Sequence, residues 1–369
     1  MTPIRTLSHV STFASVMLAA CTSEGQRASG PAEVVAELEL VLGEAGDSVI
    51  FGDARDVAVD AAGRIYVTDG QAASVRVFDS TGQFVRALGR LGDGPGEFDV
   101  PQGVEFGPNG NAYAYDGDGA RINVFDTSGA VVLSHRIPVS SYGFVWRGGI
   151  DSSGRIVDQQ VFRRDTTAIW VVRVMNLDAS TIDTFDLPPC RFEPEPYYEF
   201  PRGSAQVPFA AGAASWIDVA SGSVWCAHSG RPAAYRYAFG ATTAIDSLVS
   251  WATPARVTPE ERAEQVERLE RFAQQAGGTG IDATLIPEAK EVLLGLKRDP
   301  EGRVWMTIND SAGAAAHVFS TEGEWIARVR FPDPVSAFAS LAWHANHVYA
   351  VGEDADGAPV VRRYLVELP

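Results

Sequence analysis

The chain has 369 residues, 46% of them apolar and 21% charged, with 36 glycines and 10% aromatic side chains. That composition excludes a disordered or collagen-like chain and suits a turn-rich globular protein, and one closed repeat array commonly fills this length. Thirty basic against 47 acidic residues leave a net charge of −17; such a surface repels phosphate backbones and sets nucleic acid aside as a partner.

Arg5, an apolar stretch from Val10 to Leu18, and Leu18-Ala19-Ala20-Cys21 open the chain. The arrangement resembles a bacterial lipoprotein signal, in which small residues admit the peptidase and the cysteine is acylated. The resemblance implies that residues 1–20 are removed, that Cys21 carries the lipid, and that residues 21–32 tether the fold to a membrane. A secretory signal cleaved elsewhere is the alternative. Thr22 in place of Asp suggests, by analogy with enteric bacteria, the outer membrane or its periplasmic face within the cell envelope. No other stretch reaches the 18 apolar residues of a spanning helix. The remaining cysteines, Cys190 and Cys226, can form a disulfide in an oxidising compartment, or Cys226 can sit as a free thiol within Val224-Trp225-Cys226-Ala227.

Val34 to Leu42 alternates as a single strand without a nearby hairpin partner. It is expected to form the outer strand of a last blade and so close a ring. One pattern is then written twice. Val57-Ala58-Val59-Asp60-Ala61-Ala62-Gly63-Arg64-Ile65-Tyr66-Val67-Thr68-Asp69 and Val75-Arg76-Val77-Phe78-Asp79 answer to Val104 through Asp116 and Ile122 through Asp126. With the connecting Gly92-Asp93-Gly94-Pro95-Gly96-Glu97-Phe98, these residues resemble the NHL repeat of six-bladed β-propellers, closely from Phe51 to Gly129 and loosely beyond. The resemblance implies a scaffold whose known members bind proteins, bind RNA or cleave small substrates.

Turn glycines count the blades: Gly63, Gly110, Gly154, Gly222 and Gly302, with Asn346 standing in for the sixth. The fold class is therefore all-β, a six-bladed propeller over residues 33–369. The two long spacings hold insertions near 188–212 and 254–295. The first is proline-rich and reads as a loop; the second contains a helix near 258–276, started by Thr258-Pro259-Glu260-Glu261. Ala263, Val266, Leu269, Phe272, Ala273 and Ala276 give that helix one apolar stripe, with Glu264–Arg268 and Glu267–Arg271 pairs opposite. It either covers strand ends or forms a lid over the channel.

Candidate site residues come from repeat-equivalent positions. Six residues after each turn the strand exits carry Asp69, Asp116, Gln160, His228, Ile308 and Gly352, while Arg55, Gln102 and Arg147 precede the first strands. Of these, Arg55, Asp69, Gln102, Asp116, Arg147 and His228 would make a polar channel mouth for a small polar or peptide ligand. An Asp at a strand exit also commonly bonds its own following turn. Only one histidine reaches the mouth, and Asp116-Gly117-Asp118-Gly119 lacks the later ligands of a calcium loop. No metal or other cofactor is expected. Tyr142, Trp146, Tyr197 and Tyr198 are candidate exposed anchors on the loops, or else cover for the insertions' own core.

The sequence reading is an exported, lipid-anchored propeller that binds a ligand or a protein without catalysis. The rival is a propeller hydrolase or lyase using Asp69, Asp116 and His228 around a metal or activated water, and a structural envelope component is a third. Whether the chain is an enzyme stays open at this level.

Overall fold

The computed structural model describes residues 30–137, 146–164, 167–178, 180–188, 196–333, 335 and 341–369. Cys21, Tyr142 and Cys190 lie outside them. Residues 31–369 fold as one compact unit, and its sheets are the six expected blades, each antiparallel with strands lettered A to D from the axis outward. Blade 1 runs Ala54–Val59, Ile65–Asp69, Ser74–Phe78 and Phe84–Leu88; blade 2 runs Pro101–Phe106, Ala112–Asp116, Arg121–Phe125 and Val131–Arg136. Blade 3 is Gly149–Ile150, Ile156–Arg164, Thr167–Met175 and Thr181–Asp186; blade 4 is Ala213–Asp218, Ser223–His228, Ala233–Ala238 and Asp246–Val249. Blade 5 is Leu293–Arg298, Val304–Asp310, Gly313–Phe319 and Trp325–Arg330, and blade 6 begins Ala342–His344, His347–Glu353 and Pro359–Leu365.

Each sheet buries both faces, and the sequence shows why. Successive residues of a strand point to opposite faces, so an inner strand sandwiched between two blades must be apolar at every position. In blade 1, Val57, Ile65 and Val67 pack on Tyr349 and Val351 of blade 6, while Ala58 and Tyr66 face Val104 and Ala114 of blade 2. The same division recurs at the other four seams. Strand D is the outermost of each blade, and its first residues, Phe84-Val85 and Val131-Val132, remain exposed.

The ring closes from the N-terminus, but with two strands instead of the single one expected. Ala32–Val35 runs parallel to strand D of blade 5, and Glu37–Leu42 runs antiparallel to Pro359–Leu365 as strand D of blade 6. The break falls at Ala36, which is buried and donates its N–H to the Arg330 carbonyl at 2.9 Å. One strand cannot hydrogen-bond two sheets at once, so the chain steps across at this small residue. Glu33 then pairs with Arg328 and Arg330, tying the first strand to blade 5.

The turn count holds, although in the sixth turn the left-handed residue is Ala345, φ 51°, and not Asn346. The Gly92-to-Phe98 connection is a compact plug: the Phe98 ring enters the seam between blades 1 and 2, and the Arg121 guanidinium donates to the Asp93 and Gly94 carbonyls. Gly96 sits at φ 77°, where a Cβ would come within 2.4 Å of Val131.

Both insertions are more ordered than their composition suggests. Tyr197–Phe200 and Gly203–Gln206 form a hairpin where a loop was expected. The helix spans Pro259–Gln275 with a capping box between Thr258 and Glu261. Hairpin and helix pack on one another through Tyr198, Val207, Leu269 and Ile286, a satellite core separate from the ring. On the outer side Arg271 pairs with Glu267 as expected, whereas Arg268 bonds Gln265 instead of Glu264. Among the described residues no helix is long and apolar enough to cross a membrane.

His317 lies on strand C of blade 5 and is fully buried. Arg328 Nε donates to its Nε2 at 3.1 Å and its Nδ1 lies 2.7 Å from Ser250 Oγ. Burial, seconded by the Arg328 charge, lowers its pKa to about 4. The unfolded chain therefore takes up a proton below pH 6.5 that the folded chain refuses until about pH 4. The stabilisation from neutral His317 is complete above pH 6.5 and is lost as pH falls through that window, by about 3 kcal/mol in all. Urea unfolding of His317→Gln should accordingly show a smaller loss than wild type between pH 7 and pH 4.5. Parallel losses in the two proteins would refute the assignment.

Candidate functional site

The mouth face is the one onto which the B strands exit and from which the A strands enter. Both insertions root there: Ser311 N–H donates to the Thr253 carbonyl, and Val292 and Leu293 N–H donate to the Ser229 carbonyl. The satellite core thus rises from the mouth side of blades 3 to 5, as a packed body of hairpin and helix.

Most of the repeat-equivalent residues lie on this face, and the two carboxylates among them, Asp69 and Asp116, are committed to holding backbone. Asp69 is 1% exposed; its Oδ1 accepts from the N–H groups of Asp53 and Ala72, and Arg76 lies 3.8 Å from its Oδ2. Asp116, also 1% exposed, accepts from the N–H groups of Asp99, Val100 and Gly119. Each carboxylate staples the incoming A strand to the B–C turn of its own blade. In blade 4 Ser229 does the same, its Oγ accepting from Gly212 N–H at 3.1 Å. In blade 5 strand B runs two residues past Ile308, and Asp310 accepts from Ala312 N–H. Asp116-Gly117-Asp118-Gly119 is a turn of this kind.

The other candidates divide. Gln102 is fully buried, its amide 3.4 Å from Asp118. Arg55 is partly exposed and forks onto Asp53 at 2.7 Å. His228 is partly exposed with Gly230 N–H donating to its Nδ1, and Arg147 is exposed. Gln160 is not at an exit: its strand continues to Arg164, and Gln160 is buried in mid-strand against Asp158. Among the described residues no three His, Cys, Asp or Glu side chains are grouped so as to hold a metal ion.

Two of the expected aromatic anchors are buried instead. Trp146 stacks on Tyr115 with centroids 5.3 Å apart and donates Nε1–H to Asp158. Tyr198 belongs to the satellite core, its hydroxyl donating to the Asp282 carbonyl. Tyr197 is 52% exposed. Cys226 is buried in strand B of blade 4; its proposed partner, Cys190, lies outside the described residues.

Below the mouth the channel is bridged. Lys297 of blade 5 donates to Glu105 of blade 2 at 2.9 Å, and these blades stand opposite each other in a ring of six. Burial alone would lower the Lys297 pKa, but the Glu105 and Asp56 carboxylates hold it above the ordinary value. Asp56 in turn accepts from Val104 N–H, so the inner edge of blade 2 is capped by a side chain of blade 1. A cavity of ≈ 530 Å³ lies elsewhere, among the turns of the opposite face, lined by Asn109, Tyr113, Arg155 and Asp178. None of the mouth residues reaches it.

Ser250 and His317 come together as a nucleophile and base would, yet the wiring runs the wrong way. Arg328 fills the Nε2 lone pair, so Nδ1 carries the proton and donates it toward Ser250 Oγ. Such a histidine cannot deprotonate the serine.

Asp56, Asp158 and Arg173 are among the buried polar residues that escaped the sequence reading. Their signal was a charge inside an apolar run, as in Trp170-Val171-Val172-Arg173-Val174-Met175. In a strand covered on both faces such a charge has no solvent to turn to.

These features define a six-bladed β-propeller with a stapled, polar mouth. Residues 29–146 match the model of the DUF5128 family, described as a six-bladed β-propeller. No curated protein matches the chain significantly in sequence. Among solved structures, a Bacteroides fragilis protein described as exported is similar at 10% identity and a TM-score of 0.50, over 90% of this chain and 95% of that one. A gluconolactonase from Xanthomonas campestris is similar at 12% identity and TM-score 0.44, over 93% and 99% of the two chains. Virginiamycin B lyase from Staphylococcus aureus is similar at 11% identity and TM-score 0.42, over 90% of each. At these identities the likeness is one of fold.

If Asp116 is a staple, Asp116→Ala leaves three backbone donors without their acceptor and should lower unfolding stability by about 2–4 kcal/mol. Denaturant unfolding measures this. A neutral substitution would show that the carboxylate is held for another purpose.

Proposed function

We propose that the chain is an exported, lipid-anchored propeller whose mouth face binds a ligand or a protein partner without catalysing a reaction on it. The observation that carries this reading is the division of labour on that face. Asp69 and Asp116, the carboxylates a hydrolase or lyase would need, are each committed to backbone N–H groups. The two insertions, in contrast, build a rigid satellite that leaves Tyr197, Phe272 and Leu285 at 52%, 38% and 50% exposure. Exposed apolar side chains on a packed support are what a partner can bury. A rigid platform also lowers the ordering cost of binding.

Anchorage rests on Cys21 and the segment before it. Cys21→Ser should move the protein from the membrane to the soluble fraction and abolish labelling by radioactive palmitate. Retention in the membrane fraction would count against the lipid anchor.

For the binding surface, the double substitution Tyr197→Ser with Leu285→Ser should cut crosslinking to envelope components several-fold without shifting the melting temperature. Turnover of an ester, lactone or glycan by the purified chain, abolished by His228→Ala, would replace this reading with the catalytic one.

A further inference from the structure

The seam between blades 2 and 3 contains a cation that the protein itself does not satisfy. Arg173, on strand C of blade 3, is 3% exposed. Among the described residues no group accepts from its Nε or its Nη2. Those two N–H bonds lie parallel along one edge of the guanidinium, the edge that grips a carboxylate with two hydrogen bonds. Buried donors on a charged group are seldom left unmet, and each exception calls for an explanation of its own.

The surroundings specify what would meet them. Directly across the strand pair stands Asp158, but its oxygens already accept from Trp146 Nε1, Gln159 N–H and Gln160 Nε2. Asp158 thus offsets part of the charge, while the hydrogen bonds described on its oxygens come from these neighbours and not from Arg173. Gln160 lies two residues further toward the mouth on the same strand face, about 7 Å away along the strand. Tyr115 and Trp146, stacked on each other, form the flat wall from the blade 2 side. A guanidinium edge, a primary amide and an aromatic wall are the parts of a site for a planar anion.

We propose that the upper seam between blades 2 and 3 binds a carboxylate, gripped side-on by Arg173. This deepens the binding reading above and rests on it only for the source of the ligand, a small molecule or peptide presented at the mouth. Burial lowers the Arg173 pKa, with Asp158 and Tyr115 opposing the change, so an anion arriving at Nε and Nη2 removes a cost the folded protein otherwise carries.

Acetate is the smallest probe of this chemistry. The purified full chain is melted in rising sodium acetate, with sodium chloride at matched ionic strength as control, and [1-13C]acetate line broadening is followed in parallel. Acetate should raise the melting temperature saturably and chloride should not. Arg173→Met removes the fork and leaves Asp158 without its counter-charge, so it should melt below wild type and lose the acetate response. Arg173→Lys keeps the charge without the fork and should weaken the apparent acetate affinity at least tenfold. Should Arg173→Met fail to fold, the lysine variant and the wild-type titration decide the matter. An acetate shift no larger than the chloride shift overturns the site, as does a response unchanged in Arg173→Lys. Loss of the acetate effect with crosslinking through Tyr197 and Leu285 intact would leave the binding propeller standing without this site.

Discussion

The closed ring depends on one constraint: each sheet must bury two faces, and only a neighbouring blade on either side can do so. Six seams result, each an apolar core of its own, and none is complete until the last blade meets the first. The pairing of Glu37–Leu42 with Pro359–Leu365 is therefore the contact on which the others rely. It makes the two ends of the folded unit parts of one sheet, so that opening the ring would expose a strand edge and two faces together. The second N-terminal strand carries the chain onto blade 5 as well, so the closure spans two blades.

A ring built this way leaves polar work at two places. At the mouth the chain leaves one blade and enters the next, and buried N–H groups there need acceptors. Asp69, Asp116, Ser229 and Asp310 supply them, with one staple to each of four blades. Along the axis the inner strands have free edges, and Asp56 caps one of these while Lys297 and Glu105 meet across the channel. Polar residues that look like a ligand site when read as a repeat are thus largely the price of turning corners. What departs from the repeat has no such obligation: the satellite on the mouth face and the seam around Arg173 are where this molecule differs from its own pattern.

The blade count and the helix with its capped start were legible, because each follows from local chemistry: turn glycines, an N-cap. The role of Asp69 was open between turn and ligand, and only the proximity of Asp53 N–H decided it. Trp146 and Tyr198 sit in loop-like sequence, which left open whether they were exposed anchors or cover for a local core. Their burial depends on Tyr115 and Ile286, residues 31 and 88 positions away in the chain, which no window of sequence brings together.

By itself the sequence determined that this protein would be a ring of six sheets, since hydrophobic period and turn residues act over a few positions and need no knowledge of the rest. Tertiary structure alone decided which polar groups were consumed and which were left over. That outcome depends on distances between blades: the two halves of the N-terminal segment go to different sheets because Arg330 and Leu365 lie on different edges. Arg173 keeps two donors unmet while Asp158, across the strand pair, accepts from Trp146, Gln159 and Gln160. A carboxylate or guanidinium carries its chemistry in the sequence, but its partners are assigned only when the ring closes.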